Sequence, residues 1–339
     1  MRICKSFRAV LVAALIIRAA PARAQLYESV GTRAQGMGGA FVAVADDASA
    51  GWWNPAGLAS GTYFNVLTEK GRLSLPGDPQ PGAPALRAGT SGFAAAFPAL
   101  GLSYYRLQLS QLAPIGTADG GGVTRQEPVG GSRVRTLVVN QFGVTVGQSV
   151  GDHRVVGSTL KVLRGGVASG GVTDSGNPLD QADALDVRRR TRADLDLGVM
   201  ATMGRVRLGA TVRNATRPRF GEGTEMVTLV RQARTGVAVL SKAFSGFDAV
   251  TVAADADLTS TPTLFGDVRH AATGGEAWLL KRRLGFRAGV TTNTVGARRT
   301  ATSTGVSVAP ISGMFLEGSR TTGADDSLSG WTTTIRLTF

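Results

Sequence analysis

Trp331-Thr332-Thr333-Thr334-Ile335-Arg336-Leu337-Thr338-Phe339 ends the chain in unbroken alternation. In an extended strand Trp331, Thr333, Ile335, Leu337 and Phe339 share one face, while Thr332, Thr334, Arg336 and Thr338 share the other. An apolar face with aromatic ends, opposite a polar face that carries a charge, suits a strand with lipid on one side and a polar lumen on the other. Lipid offers no partner to an open strand edge, so a sheet of such strands must close on itself.

The same pattern recurs upstream. Val206, Leu208, Ala210 and Val212 alternate with Arg207, Gly209, Thr211 and Arg213. Leu284, Phe286, Ala288 and Val290 alternate with Gly285, Arg287, Gly289 and Thr291, and Leu195, Leu197, Val199 and Ala201 with Asp194, Asp196, Gly198 and Met200. Strands are expected at 62–69, 91–98, 101–110, 134–149, 154–165, 192–203, 206–216, 227–241, 249–258, 270–281, 284–293, 299–308, 311–320 and 331–339, fourteen in all. Their connectors sort by parity. Those after even strands are short, such as Gly204-Arg205 and Arg282-Arg283. Most after odd strands are long and rich in Gly and polar residues: 70–90, 111–133, 166–191, 217–226, 259–269 and 321–330, with 294–298 the exception. Outer-membrane barrels have short periplasmic turns and long outer loops. The expected fold is therefore all-β, a closed transmembrane antiparallel barrel of about 14 strands, with both termini periplasmic. The terminal aromatic of the last strand, together with Trp331, Ile335 and Leu337, reads as a signal for the barrel-assembly machinery.

The other end of the chain indicates export. Arg2, Lys5 and Arg8 precede the apolar run Ala9 to Ile17, and Ala22-Arg23-Ala24 supplies an A-x-A exit before Gln25. This reads as a signal peptide over residues 1–24, too short in its apolar part to span a bilayer. Its removal takes away five basic residues and no acid, lowering the net charge from +13 to +8, and it takes Cys4, the single cysteine. The mature chain then has no disulfide and no cysteine-ligated metal. Its basic residues are mostly scattered Arg, with one cluster at Arg188-Arg189-Arg190 and Arg192, better suited to a solvated loop facing lipopolysaccharide phosphates than to nucleic acid.

Residues 31–60, GTRAQGMGGAFVAVADDASAGWWNPAGLAS, do not alternate. Asp46 or Asp47 suits the cap of a short helix through Ala48 to Trp52, and Asn54-Pro55 is an N-cap and first-turn pair. The segment reads as a compact plug in or under the lumen, dividing the mature chain into a hatch (25–60) and a barrel (61–339). Arg33-Ala34, Gly36-Met37-Gly38-Gly39-Ala40-Phe41, Ala45-Asp46-Asp47-Ala48 and Trp53-Asn54-Pro55-Ala56-Gly57-Leu58 closely resemble the N-terminal motif of the FadL-like outer-membrane barrels. That group includes fatty-acid and hydrocarbon transporters and PorV-like relatives in secretion or surface attachment, and the Gly-Met-Gly-Gly form is closer to the PorV-like branch. The resemblance implies a helical hatch in the lumen, with Asn54, Pro55 and Ala56 at its tip and Gly38, Gly39, Asp46 and Asp47 among its gating residues. It also implies an apolar ligand pocket and, in the transporters, a lateral opening at a kinked third strand, here about Gly101 to Ser110.

Other motifs carry less. Gly147-Gln148-Ser149-Val150-Gly151 has the form of a nucleophile elbow, but a strand rather than a helix is expected after it. His153 and His270 have no partners at metal-ligand spacing, and no cofactor or catalytic residue is expected. Two functions follow from the resemblance. One is a channel for hydrophobic small molecules, whether fatty acid, hydrocarbon or lipid-like. The alternative is an interaction protein serving a secretion-system partner without solute flux.

Overall fold

The computed structural model describes residues 22–24, 30–61, 64–75, 83–114, 132–172, 177–244, 246–324 and 328–339. The expected leader up to residue 21 and the tip of the 111–133 loop lie outside the described residues. Fourteen antiparallel strands form a closed barrel in sequence order. They are β1 (Asn65–Leu75), β2 (Ala85–Phe97), β3 (Leu100–Pro114), β4 (Ser132–Val150), β5 (Arg154–Gly171), β6 (Arg190–Met203) and β7 (Val206–Arg213). The second half comprises β8 (Gln232–Phe244), β9 (Phe247–Asp257), β10 (His270–Leu279), β11 (Leu284–Asn293), β12 (Thr300–Ile311), β13 (Met314–Gly323) and β14 (Ser329–Thr338). The last strand pairs with the first, from Ser329 opposite Ser74 to Thr338 opposite Asn65. Closure leaves the ladder without an edge.

Alternation sorts the two faces of the wall. Trp331, Ile335, Leu337 and Phe339 are exposed on the outside, as are Phe93, Leu160, Phe286 and Val252, while Thr332, Thr334 and Arg336 are buried inside. All the short turns lie at the rim that carries Phe339, and the long connectors at the other. A turn of Gly204 and Arg205 joins β6 to β7, with Gly204 at a φ of 61° that a tight hairpin needs. The elbow-like Gly147–Gly151 is likewise the end of β4 and its turn, with Gly151 at φ 68° and β5 following.

The strands differ from expectation mainly at the long-loop rim. β1 runs on to Leu75 and β2 begins at Ala85, within the expected 70–90 loop. The expected strand 227–241 is broken: Val227–Leu229 leaves the wall and pairs with Arg219–Phe220, and β8 begins only at Gln232. Phe220, Val227 and Leu229 are buried in the main apolar cluster, so this connector folds into the lumen. Ala22–Ala24 pairs in parallel with Val227–Leu229. Ala22–Ala24, the last three residues of the expected leader, thus lie beside a connector of the long-loop rim. β3 is paired without a register shift to β2 and β4 from Leu100 to Leu112, so the wall has no lateral opening at this strand. Among the described residues, the one register shift in the wall is between β12 and β13 near Pro310, which has no N–H to donate to a ladder.

Candidate functional site

The hatch occupies the lumen as expected, from α1 (Thr32–Gly36) through α2 (Ala50–Trp53) to a 3-10 turn at Pro55–Ser60. Almost every side chain from Val30 to Leu58 is buried. Helices of four or five residues are not stable by themselves, so the wall must hold them.

One anchorage is ionic. Arg33 donates from Nη1 to Asp46 and Asp47, 2.8 Å to each, and from Nη2 to Glu276 at 2.9 Å. Glu276 also accepts from Arg287 at 2.6 Å, and Arg287 reaches Glu317, which accepts from Arg336 at 2.9 Å. Burial alone would lower the pKa of Arg33, but Glu276, Asp46 and Asp47 more than offset it and raise it well above the ordinary value. Nearby, the Glu69 carboxylate accepts from Gly31 N–H at 3.0 Å, and Asp255 accepts from the N–H groups of Phe41 and Val42, each at 2.8 Å. Glu276 and Glu317 are tolerated as buried charges because each has two guanidinium partners.

The second anchorage is steric. Asn54 accepts from Ala56 N–H at 3.2 Å, capping the 3-10 turn, and its amide donates to the carbonyls of Val42 and Val199. Asn54 and Pro55 rest on Gly157 and Gly198, which face each other across β5 and β6. A Cβ at Gly198 would lie 2.9 Å from the Pro55 ring. Gly274 and Gly289, paired across β10 and β11, leave the same kind of room for Met37 and Gly38. Gly38 and Gly39 have φ of 66° and 86°, the left-handed turn that only glycine makes freely.

A cavity of about 180 Å³ lies between α1 and the long-loop rim. Gln35, Gly38 and Gly39 form its floor, and Leu73, Leu75, Leu86 and Ala301 belong to its wall. Its roof is a hairpin of Thr261–Thr263 against Gly266–Val268, with Phe265 at the turn. Arg299 stacks over the Phe265 ring at 5.1 Å and donates to its carbonyl at 3.2 Å, and Asn293 donates to the Asp267 carbonyl. A second, more open cavity of about 500 Å³ lies at the short-turn rim, beside Leu58, Ala59, Pro98 and Gly147.

The expected hatch residues are not gathered in one place. Gly38 and Gly39 touch the upper cavity, Asp46 and Asp47 bind Arg33, and Asn54, Pro55 and Ala56 sit on the glycine seat of β5 and β6. The expected Asp cap is displaced. The helix begins at Ala50 with Ser49 as its N-cap, and Asp47 instead accepts from the Ser49 N–H and hydroxyl. Glu69, Asp255, Glu276 and Glu317 were not anticipated, although inward charges on alternating strands were the signal for them. Arg190 pairs with Glu222 and Arg192 donates to the Arg219 carbonyl, so half of the Arg188–Arg192 cluster is engaged within the protein.

No family model matches the chain, and no curated protein matches it. Solved structures do match. The Ralstonia pickettii toluene transporter TbuX superposes with a TM-score of 0.60 at 14% identity, covering 92% of this chain and 99% of that one. A TodX monoaromatic hydrocarbon channel lacking S2 and S3 does so with a TM-score of 0.54 at 10% identity and the same coverage. The fold is that of these two hydrocarbon-channel structures, a closed fourteen-stranded barrel. In this barrel the block from Arg33 to Leu58 fills the lumen, and the third strand is unbroken.

Proposed function

We propose that this barrel sits in an outer membrane with its long connectors outward and passes compact hydrophobic molecules. The observation that carries the reading is the apolar cavity between hatch and hairpin. Its volume of about 180 Å³ is close to the roughly 150 Å³ of an apolar protein cavity that takes up benzene. It is below the roughly 300–1,000 Å³ usual for larger ligands. A molecule of single-ring size fits this space better than a long acyl chain. Entry is beneath the hairpin held by Arg299 and Asn293. With β3 paired throughout, the route onward runs past the hatch toward the cavity beside Leu58, and Gly38 and Gly39 act as the hinge of its floor.

The test is uptake by proteoliposomes of toluene and of a long-chain fatty acid, alongside mass spectrometry of molecules retained by gently purified protein. Toluene should enter faster than through the same barrel carrying Ala301→Phe, which fills the cavity from its wall. Retention of fatty acid instead would correct the ligand class. An empty lumen with no flux of either compound would favour the interaction reading, a barrel serving a secretion partner.

A further inference from the structure

The outer face of the wall carries a feature that transport does not use. Cross-strand register places Lys70, Ser91, Arg106, Asn140 and Arg164 in one row over β1 to β5. Arg72 lies one step nearer the long-loop rim, in register with Trp331 and, beyond it, Arg320. Lys70, Arg72, Arg106, Arg164 and Arg320 are all exposed, and none pairs with a described acidic residue. One step toward the short-turn rim, the next row is Phe93, Tyr104, Phe142 and Val162, also exposed, with the Phe93 and Tyr104 rings stacked at 6.0 Å.

The other border of the basic row is a ledge. On β3 the outward positions Leu102, Tyr104 and Arg106 are exposed, yet Ser110 and Leu112 on the same face are buried. They lie under α3 (Pro178–Asp183), a helix from the β5–β6 connector that folds down the outside of the wall and seats Leu179 and Ala182 against Ala85, Leu112 and Val134. The acids of α3 are already engaged: Asp180 and Asp183 bind Arg87, and Asp183 accepts from Ser110 at 2.5 Å. They do not neutralise the row below.

Charged side chains on a lipid-facing wall cost little only at headgroup depth. An apolar, aromatic row beneath a cationic row therefore marks the interface on the long-loop side. Members of the row two strands apart are about 10 Å apart, given about 4.8 Å between strands. Guanidinium groups at this spacing match a lipid with two separated phosphates better than a lipid with one. We infer that this face is a binding site for a bisphosphorylated lipid of the lipid A class. Its phosphates lie on Lys70, Arg106 and Arg164, its acyl chains lie along Phe93 to Val162, and α3 is the ledge above. The inference rests on the outer-membrane reading.

The test uses folded barrel in neutral detergent, its folding shown by heat-modifiable migration, and native mass spectrometry with three added lipids: bisphosphorylated lipid A, dephosphorylated lipid A and phosphatidylglycerol. Bisphosphorylated lipid A should be retained in preference to the other two. The variant Lys70→Gln/Arg106→Gln/Arg164→Gln should weaken it by about fivefold per residue neutralised. Arg205→Gln/Arg283→Gln, in exposed loops at the short-turn rim far from the basic row, should leave retention unchanged. Equal retention of dephosphorylated lipid A, or of any lipid by the triple variant, overturns the site. An equal loss in the loop variant does so too, by reducing it to general charge attraction. Failure of the membrane reading would show earlier, as a protein that does not fractionate with membranes.

Discussion

The hatch is fixed to the wall in two places by different physics. At α1, Arg33 joins Asp46 and Asp47 of the hatch to Glu276, and through it to Arg287, Glu317 and Arg336 on three further strands. At the tip, Asn54 and Pro55 sit against Gly157 and Gly198, where what matters is an absent side chain. The first anchorage consists of desolvated charges whose worth lies in their being complete, since removing one partner strands the others. The second consists of close packing, tolerant of nothing larger but free of charge. A plug that must shift for a ligand is better released at a set of exchangeable polar partners than at a steric seat. The ionic end also lies beside the upper cavity, whose floor is Gln35, Gly38 and Gly39.

Arg33→Met is expected to have the largest effect. It keeps the length of the side chain but leaves Glu276, Asp46 and Asp47 without their shared cation, at a cost of about 3–5 kcal/mol for a broken buried pair. Chemical unfolding of the barrel in detergent should show the loss, and protease should reach the hatch. Unchanged stability would mean that the ionic end holds nothing. Gly198→Val is expected to come next, at about 1–3 kcal/mol for overpacking, because the new Cβ meets the Asn54 amide and the Pro55 ring. Gly89→Val is its control, since nothing lies within 4 Å of a Cβ there. A matching loss at Gly89 would show that strand glycines matter in general and that the seat does not. If the two anchorages are independent, the double variant Arg33→Met/Gly198→Val should lose the sum of the two effects.

Legibility in the sequence followed the same division. Wall strands with lipid outside and polar lumen inside declared themselves by alternation, and β11 was read to its ends, Leu284 and Asn293. Leu73 to Leu75 and Ala85 to Gly89 do not read as strand because their faces lack the usual contrast: the inner face lines the cavity with Leu73, Leu75 and Leu86, and part of the outer face is covered by α3. The helix α3 carries the same signature as the hatch tip: Asn177 before Pro178, its side chain accepting from Leu179 N–H at 2.9 Å. Inside a long Gly-rich connector that signature alone does not mark a helix. The ion network was legible as inward charges on alternating strands, but not as pairs. Arg33 and Glu276 are 243 positions apart, and only barrel closure brings them together.

The smallest effect is expected at Asp46, and it tests which partner of Arg33 does the holding. The Asp46 side chain is 34% exposed, against 4% for Asp47 and 3% for Glu276. Water already competes for Arg33 at that position, and exposed pairs contribute about 0–1 kcal/mol. Asp46→Asn keeps an oxygen in place to accept from Arg33 and should cost less than about 1 kcal/mol in the same unfolding measurement. Asp47→Asn, buried and bound also to Ser49, should cost more. If the order reverses, the exposed carboxylate dominates, and the main hold on Arg33 lies on the side facing water and not on the wall side.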